Sequence, residues 1–178
     1  MNPIKKYDDV MMETAYVWAK KSKCIKRKVA AIIAKENVII SIGINGTPKG
    51  YKRKTKYECE DEVKICPKCK KEYKDGLYNG KKINFCVNCG ENLRNIELTL
   101  KTDHDITLHA EQNALMNAAR LGHATEGATI YVSTAPCSRC ALLIAQSGIK
   151  RVVYGELYKN NDGIKMLESL GIKVEQYI

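Results

Sequence analysis

Residues 127–155, GATIYVSTAPCSRCALLIAQSGIKRVVYG, decide the fold. Thr129 to Thr134 reads as a strand. Cys137 to Ser147 is rich in Ala, Leu and Ile and reads as a helix ended by Gly148. Arg151 to Tyr154 is a second strand. Further on, Gly163 to Leu170 predicts a helix ended by Gly171, and Lys173 to Tyr177 predicts a last strand. Strand, helix, strand, helix, strand in that order implies parallel crossovers. The expected architecture is a three-layer α/β sandwich.

Upstream, His109 to Leu121 is rich in Ala, Leu, Glu and Gln and predicts another helix. Lys28 to Lys35 and Val38 to Ile44 are β-branched runs around Glu36-Asn37, the pattern of a hairpin with a tight turn. Tyr7 to Lys23 places Val10, Met11, Thr14, Ala15, Val17 and Trp18 at helical spacing and predicts an amphipathic helix. Gly43 to Gly50, GINGTPKG, is a shaped loop. The stretch 51–107 differs from all of this. It is rich in Lys and Cys, has no strong period, and is read as an insertion within a domain spanning 1–178.

The chain has 178 residues, 44% of them hydrophobic, and a formal charge of +10. That is enough for one domain with a real core and argues against disorder. No apolar run is long enough to span a bilayer, and residues 1–21 lack a signal-peptide core, so a cytoplasmic protein is expected. The basic surplus either attracts phosphate-bearing partners or is a solvated lysine surface. Six of the eight cysteines fall in Cys-x-x-Cys pairs, Cys66/Cys69, Cys86/Cys89 and Cys137/Cys140. In an intracellular protein that spacing points to metal rather than to disulfides.

Two motifs carry chemistry. His109-Ala110-Glu111 opens one helix and Pro136-Cys137-Ser138-Arg139-Cys140 opens the next. One imidazole and two thiolates fill three tetrahedral zinc positions and leave the fourth for water. Glu111 is free to move protons between that water, a ring nitrogen and a leaving amine. His-x-Glu followed by Pro-Cys-x-x-Cys is the signature of zinc nucleobase deaminases. Cys66, Cys69, Cys86 and Cys89 supply four thiolates with no open position, the donor set of a structural zinc. The sequence around them is too poor in apolar residues to make a core, so metal is expected to supply the folding energy.

CIKRKVAAIIA (24–34), GINGTPKG (43–50), HAEQNALMNAAR (109–120) and residues 127–155 resemble the deoxycytidylate deaminases of bacterial and phage type, within the cytidine deaminase superfamily. The resemblance implies a five-stranded mixed sheet flanked by helices. It also implies hydrolysis of dCMP to dUMP and ammonia, which supplies thymidylate synthesis. By resemblance Asn45 contacts the sugar, Ser22 and Lys26 contact the phosphate, and Ala110 and Tyr158 belong to the substrate site. Relatives often carry Arg where Lys26 stands, and Arg27 could take its place. Cys24 and Cys59, with His104, match a further zinc site of some phage relatives, and the alternative is two buried thiols. Regulation by dCTP and dTTP, Mg2+ beside such an effector, and a homo-hexamer are further implications. The cysteine-rich insertion resembles a small zinc ribbon, and three other readings stay open at this point: dCTP as substrate, an adenosine deaminase acting on tRNA or other nucleic acid, and a protein that binds nucleic acid through that ribbon and carries a vestigial deaminase site.

Overall fold

The computed structural model describes residues 5–51, 59–103 and 106–178. After a short turn of 3-10 helix comes α1 (Asp8–Ala19), then a hairpin of β1 (Ala30–Lys35) and β2 (Val38–Ile44). The expected insertion contributes β3 (Glu60–Ile65), β4 (Glu72–Lys74), β5 (Leu77–Tyr78), β6 (Lys81–Lys82) and β7 (Thr99–Thr102). The remainder alternates as predicted: α2 (Ala110–Arg120), β8 (Thr129–Thr134), α3 (Ser138–Gln146), β9 (Arg151–Glu156), α4 (Asp162–Ser169) and β10 (Lys173–Gln176).

The main sheet has five strands in the order β10-β9-β8-β1-β2. β8, β9 and β10 run parallel, while β1 is antiparallel to both β8 and β2, so the sheet is mixed. Successive strand residues face opposite sides. Ile33, Ile130, Val132 and Val152 therefore pack with Ala114, Ala141, Ile144 and Leu167 from α2, α3 and α4. Ile32, Ala34, Tyr131 and Val153 face the other way, onto Met11, Met12 and Ala15 of α1. This is the three-layer sandwich that the strand–helix alternation called for.

Three local details position the later site. The β1–β2 turn uses Glu36 and Asn37, with φ of 51° and 64°, the left-handed pair that a tight hairpin turn needs. α2 lies directly against the edge strand β2, because Gly43 lets the backbone of Ala110 and Ala114 come where a Cβ would sit. Ser41 Oγ donates to the Ala114 carbonyl at 2.6 Å, and Asn113 and Asn117 donate to Ile44 and Ile42 carbonyls at 2.7 and 2.8 Å. Across the sheet, Asp8 accepts from Arg151 Nη1 and Nη2 at 2.8 and 2.6 Å and from the Tyr131 hydroxyl at 2.8 Å. Arg151 Nε also donates to Glu175 at 2.6 Å, so one guanidinium joins α1, β9 and β10.

The structure differs from the sequence reading in three places. α1 ends at Ala19 rather than Lys23, because the Ser22 hydroxyl bonds the Asn45 carbonyl at 3.0 Å and accepts from the Cys24 N–H at 3.2 Å. Such local side-chain bonds compete with helix. The buried face of α1 is Met11, Met12, Ala15 and Ala19, while Val10, Val17 and Trp18 are exposed. The cysteine-rich segment is not coreless. Tyr73, Ile83 and Leu93 are buried with Cys66 and Cys86, and its strands form two sheets of their own, β4-β3-β7 and β5-β6. Among the described residues, no helix is long and apolar enough to cross a membrane.

Candidate active site

Two helix starts build the centre of the site. His109 is the N-cap of α2 and its N–H donates to Gln112 Oε1 at 2.7 Å. Cys137 is the N-cap of α3, and Cys140 sits in the first turn of that helix. β8 delivers the second motif to the C-terminal end of the parallel strands, where α/β sheets place their ligands. Gly163, at the start of α4, touches the Pro136 carbonyl and holds that turn from behind.

His109 Nδ1 lies 3.5 Å from Cys137 Sγ and 3.4 Å from Cys140 Sγ. Ligand bonds of about 2.0 Å to nitrogen and 2.3 Å to sulfur at a tetrahedral angle put the two donors about 3.5 Å apart, so this donor set fits zinc. The second cluster fits as well. Cys66 and Cys89 are 3.6 Å apart and Cys69 and Cys86 are 3.5 Å apart, close to the roughly 3.8 Å between thiolates of a tetrahedral zinc. The four sulfurs lie mutually within 4.8 Å. Tyr73 supports them, its hydroxyl 3.0 Å from Cys86 Sγ and accepting from the Val87 N–H.

The electrostatics are those of a site built around charge. Burial lifts the Glu111 carboxyl to about 7, and the pull of its own backbone N–H and of His109 only partly offsets this. The Cys137 thiol is held at about 3. The shared hydrogen bond with Cys140 contributes most, and His109 adds to it against the effect of burial. Cys140 is pushed up by the same shared bond and by burial. His109 is raised, chiefly by its bond to Cys137. The dipoles of α2 and α3 add positive potential at the same point.

A cleft opens beside this cluster, lined by Arg27, Asn45, Glu60, Thr107, Glu111 and Tyr158 among others. Arg27 stands over the Tyr158 ring at 5.1 Å. Asn45 is tied to its surroundings: Oδ1 accepts from Val29 N at 2.9 Å and Nδ2 donates to the Arg27 carbonyl at 2.8 Å. An amide carries two N–H groups and two acceptor lone pairs, so one of each remains for a ligand.

A family model for the cytidine and deoxycytidylate deaminase zinc-binding region matches residues 5–156. The chain belongs to that family. It is a zinc deaminase of the deoxycytidylate type by its relatives. The deoxycytidylate deaminase of Enterobacteria phage T4 is 38% identical over 175 residues, covering 92% of this chain and 86% of that protein. The Schizosaccharomyces pombe deoxycytidylate deaminase is 33% identical over 173 residues, and the chain spans 44% of that longer protein. Among solved structures, the dCMP deaminase of cyanophage S-TIM5 in complex with dCMP and dUMP superposes with a TM-score of 0.68 at 30% identity, covering 99% of each chain.

In this deaminase the structure brings His109, Ala110, Glu111, Cys137, Arg27, Asn45 and Tyr158 to one cleft. Cys140 joins them through His109. Two expected phosphate contacts do not line it. Ser22 is buried and spends its hydroxyl on the Asn45 carbonyl, so it positions the loop. Lys26 is exposed and does not line the cleft, whereas Arg27 does. The expected further zinc on Cys24 and Cys59 is corrected too. The two are joined by a disulfide with Cα atoms 5.1 Å apart, so neither sulfur is a free thiolate for a metal. His104 lies outside the described residues. Glu60, Thr102 and Thr107 are cleft residues that the sequence reading did not find.

Proposed function

We propose that this protein hydrolyses dCMP to dUMP and ammonia, with Glu111 as the proton carrier. The observation that supports this most is the placement of a buried, raised-pKa carboxyl beside a His/Cys/Cys donor set in one cleft with a guanidinium and a part-free amide. Likeness to the cyanophage enzyme over 99% of the chain names the nucleotide. His109, Cys137 and Cys140 would hold zinc, which when bound acidifies water enough to serve as nucleophile near neutral pH. Glu111 takes a proton from the attacking water and gives it to the ring nitrogen next to the amine-bearing carbon. It then passes the second proton to the amine, so that ammonia leaves as the ring carbonyl forms. Arg27 pairs with the 5′-phosphate, and its stacking on Tyr158 restricts it for that purpose. Asn45 offers its remaining N–H to the sugar.

Cys66, Cys69, Cys86 and Cys89 hold a second, structural zinc in this reading, since four thiolates leave no position for water. The family likeness adds control by dCTP and dTTP, with Mg2+ beside the effector, and assembly into a hexamer. Sedimentation with and without these nucleotides checks both.

The decisive experiment measures ammonia release from dCMP, dCTP, deoxycytidine and a cytosine-containing oligonucleotide. dCMP is expected to be fastest, and equal turnover of the oligonucleotide would overturn the reading. Glu111→Gln is expected to keep its zinc and lose about 10²–10⁴ in kcat.

A further inference from the structure

Glu60 opens β3, at the root of the cysteine-rich segment, and is fully buried. Its Oε1 accepts the N–H groups of Ile25 at 2.9 Å and Lys26 at 3.1 Å. This clamps the loop that carries Arg27. Its Oε2 is the one buried side-chain oxygen or nitrogen with no partner among the described residues. A buried acceptor left unpaired costs stability, and the clamp alone would be served by a neutral amide. The same side chain lines the cleft with Asn45, Arg27 and Glu111.

The other polar groups of the cleft narrow what Oε2 can meet. The Thr107 hydroxyl donates to the Cys59 carbonyl at 3.2 Å, and the Arg27 guanidinium, a donor by type, makes no bond to Oε2 and stands over the Tyr158 ring instead. A nucleotide carries acceptors on its phosphate and donors on its exocyclic amine and sugar hydroxyls. The amine belongs at Glu111 and the donor cluster, which leaves a sugar hydroxyl. We infer that Glu60 Oε2 accepts a hydrogen bond from the 3′-hydroxyl of the bound nucleotide, while the spare N–H of Asn45 donates to the same oxygen. This rests on the nucleotide reading above. It has a consequence for specificity. A 3′-phosphate would replace that donor by an anion facing a buried carboxylate, so Glu60 selects a free mononucleotide over the interior of a polynucleotide.

The test compares kcat/KM of wild type and Glu60→Gln on dCMP, on its 2′,3′-dideoxy analogue and on deoxycytidine 3′,5′-bisphosphate. Gln keeps a carbonyl oxygen for the Ile25 and Lys26 clamp. A hydrogen bond to a charged acceptor predicts that wild type loses about tenfold to a hundredfold on the dideoxy analogue. In Glu60→Gln that penalty shrinks about fivefold or more, as a charged bond becomes a neutral one, and the bisphosphate gains relative to wild type. An equal dideoxy penalty in both proteins would show that Glu60 only clamps the loop. A wild-type penalty below about threefold overturns the inference without the variant, should Glu60→Gln fail to fold. Wild type inactive on dCMP would instead remove the nucleotide reading and this inference together.

Discussion

Gly163→Ala is the perturbation whose consequence follows most directly from the packing. Gly163 is buried at the start of α4, and a Cβ built there overlaps the Pro136 carbonyl oxygen and approaches the Cys137 carbonyl carbon. Both partners are backbone atoms, so no side chain can swing aside. Restoring an allowed contact, above 3.0 Å, needs α4 and the Pro136–Cys137 turn to part by about an ångström. Overpacking of this kind costs about 1–3 kcal/mol, which in a chain of this size lowers Tm by roughly 3–10 °C. The effect on chemistry is larger. Zinc ligand distances hold to within about 0.2 Å, and Cys137 is the residue that moves. A misplacement of about an ångström in a catalytic centre costs on the order of a hundredfold in rate. The assay is kcat/KM on dCMP, run beside zinc release to a competing chelator and a urea titration. Weaker zinc retention and the rate loss are expected together. A variant that is destabilised yet keeps its zinc and its turnover within about threefold would show that α4 absorbs the shift and does not hold the turn.

The remaining predictions concern the Asp8–Arg151 network, Arg27 and the four-cysteine cluster. Asp8→Ala strips the bidentate partner from Arg151, which keeps Glu175, so urea titration should show a loss of about 2–4 kcal/mol, near the lower end for a broken buried pair. Burial raises the Glu175 carboxyl, but Arg151 and Lys173 overcome this and hold it at about 2, and Asp8 is likewise held below its usual value against burial by Arg151 and Tyr131. Both depressed groups contribute stability that is complete above their unfolded values near 4 and is lost as pH falls toward 2, so Tm should drop across that window and less steeply in Glu175→Gln. Arg27→Ala should raise KM for dCMP about tenfold to a hundredfold, whereas Lys26→Ala, whose side chain is outside the cleft, should change it less than about threefold. Cys86→Ala should lower the zinc content by about one per chain while His109, Cys137 and Cys140 keep theirs, and loss of both metals would refute the independence of the two clusters.

What could be read in the sequence depended on how local the cause was. The β8–α3–β9 unit was legible because each signal lies within a few residues of its effect. Alternation sets the faces of Ile130, Tyr131 and Val132, and Gly148, with φ of 78°, ends the helix. The catalytic donors were legible because zinc chemistry restricts residue type and spacing together. The core of the cysteine-rich segment was missed because its apolar members, Tyr73, Ile83 and Leu93, are spread without a period and meet only around the thiolates.

The substrate loop shows the same limit at finer grain. Ser22, Lys26 and Arg27 were all readable as hydroxyl or cation near one helix end, and sequence distance could not rank them. Long-range bonds rank them in the fold. Glu60, 34 and 35 residues away, grips the N–H groups of Lys26 and Ile25. Asn45 takes the Arg27 carbonyl and the Val29 N–H, and Ser22 takes the Asn45 carbonyl. With the backbone held on both sides, Arg27 lines the cleft over Tyr158 and Lys26 does not line it. The loop that carries both cations is therefore held by a carboxylate on a strand that sequence reading treated as insertion. Any change in that segment that moves Glu60 acts on the loop of Arg27 before it reaches His109, Cys137 and Cys140.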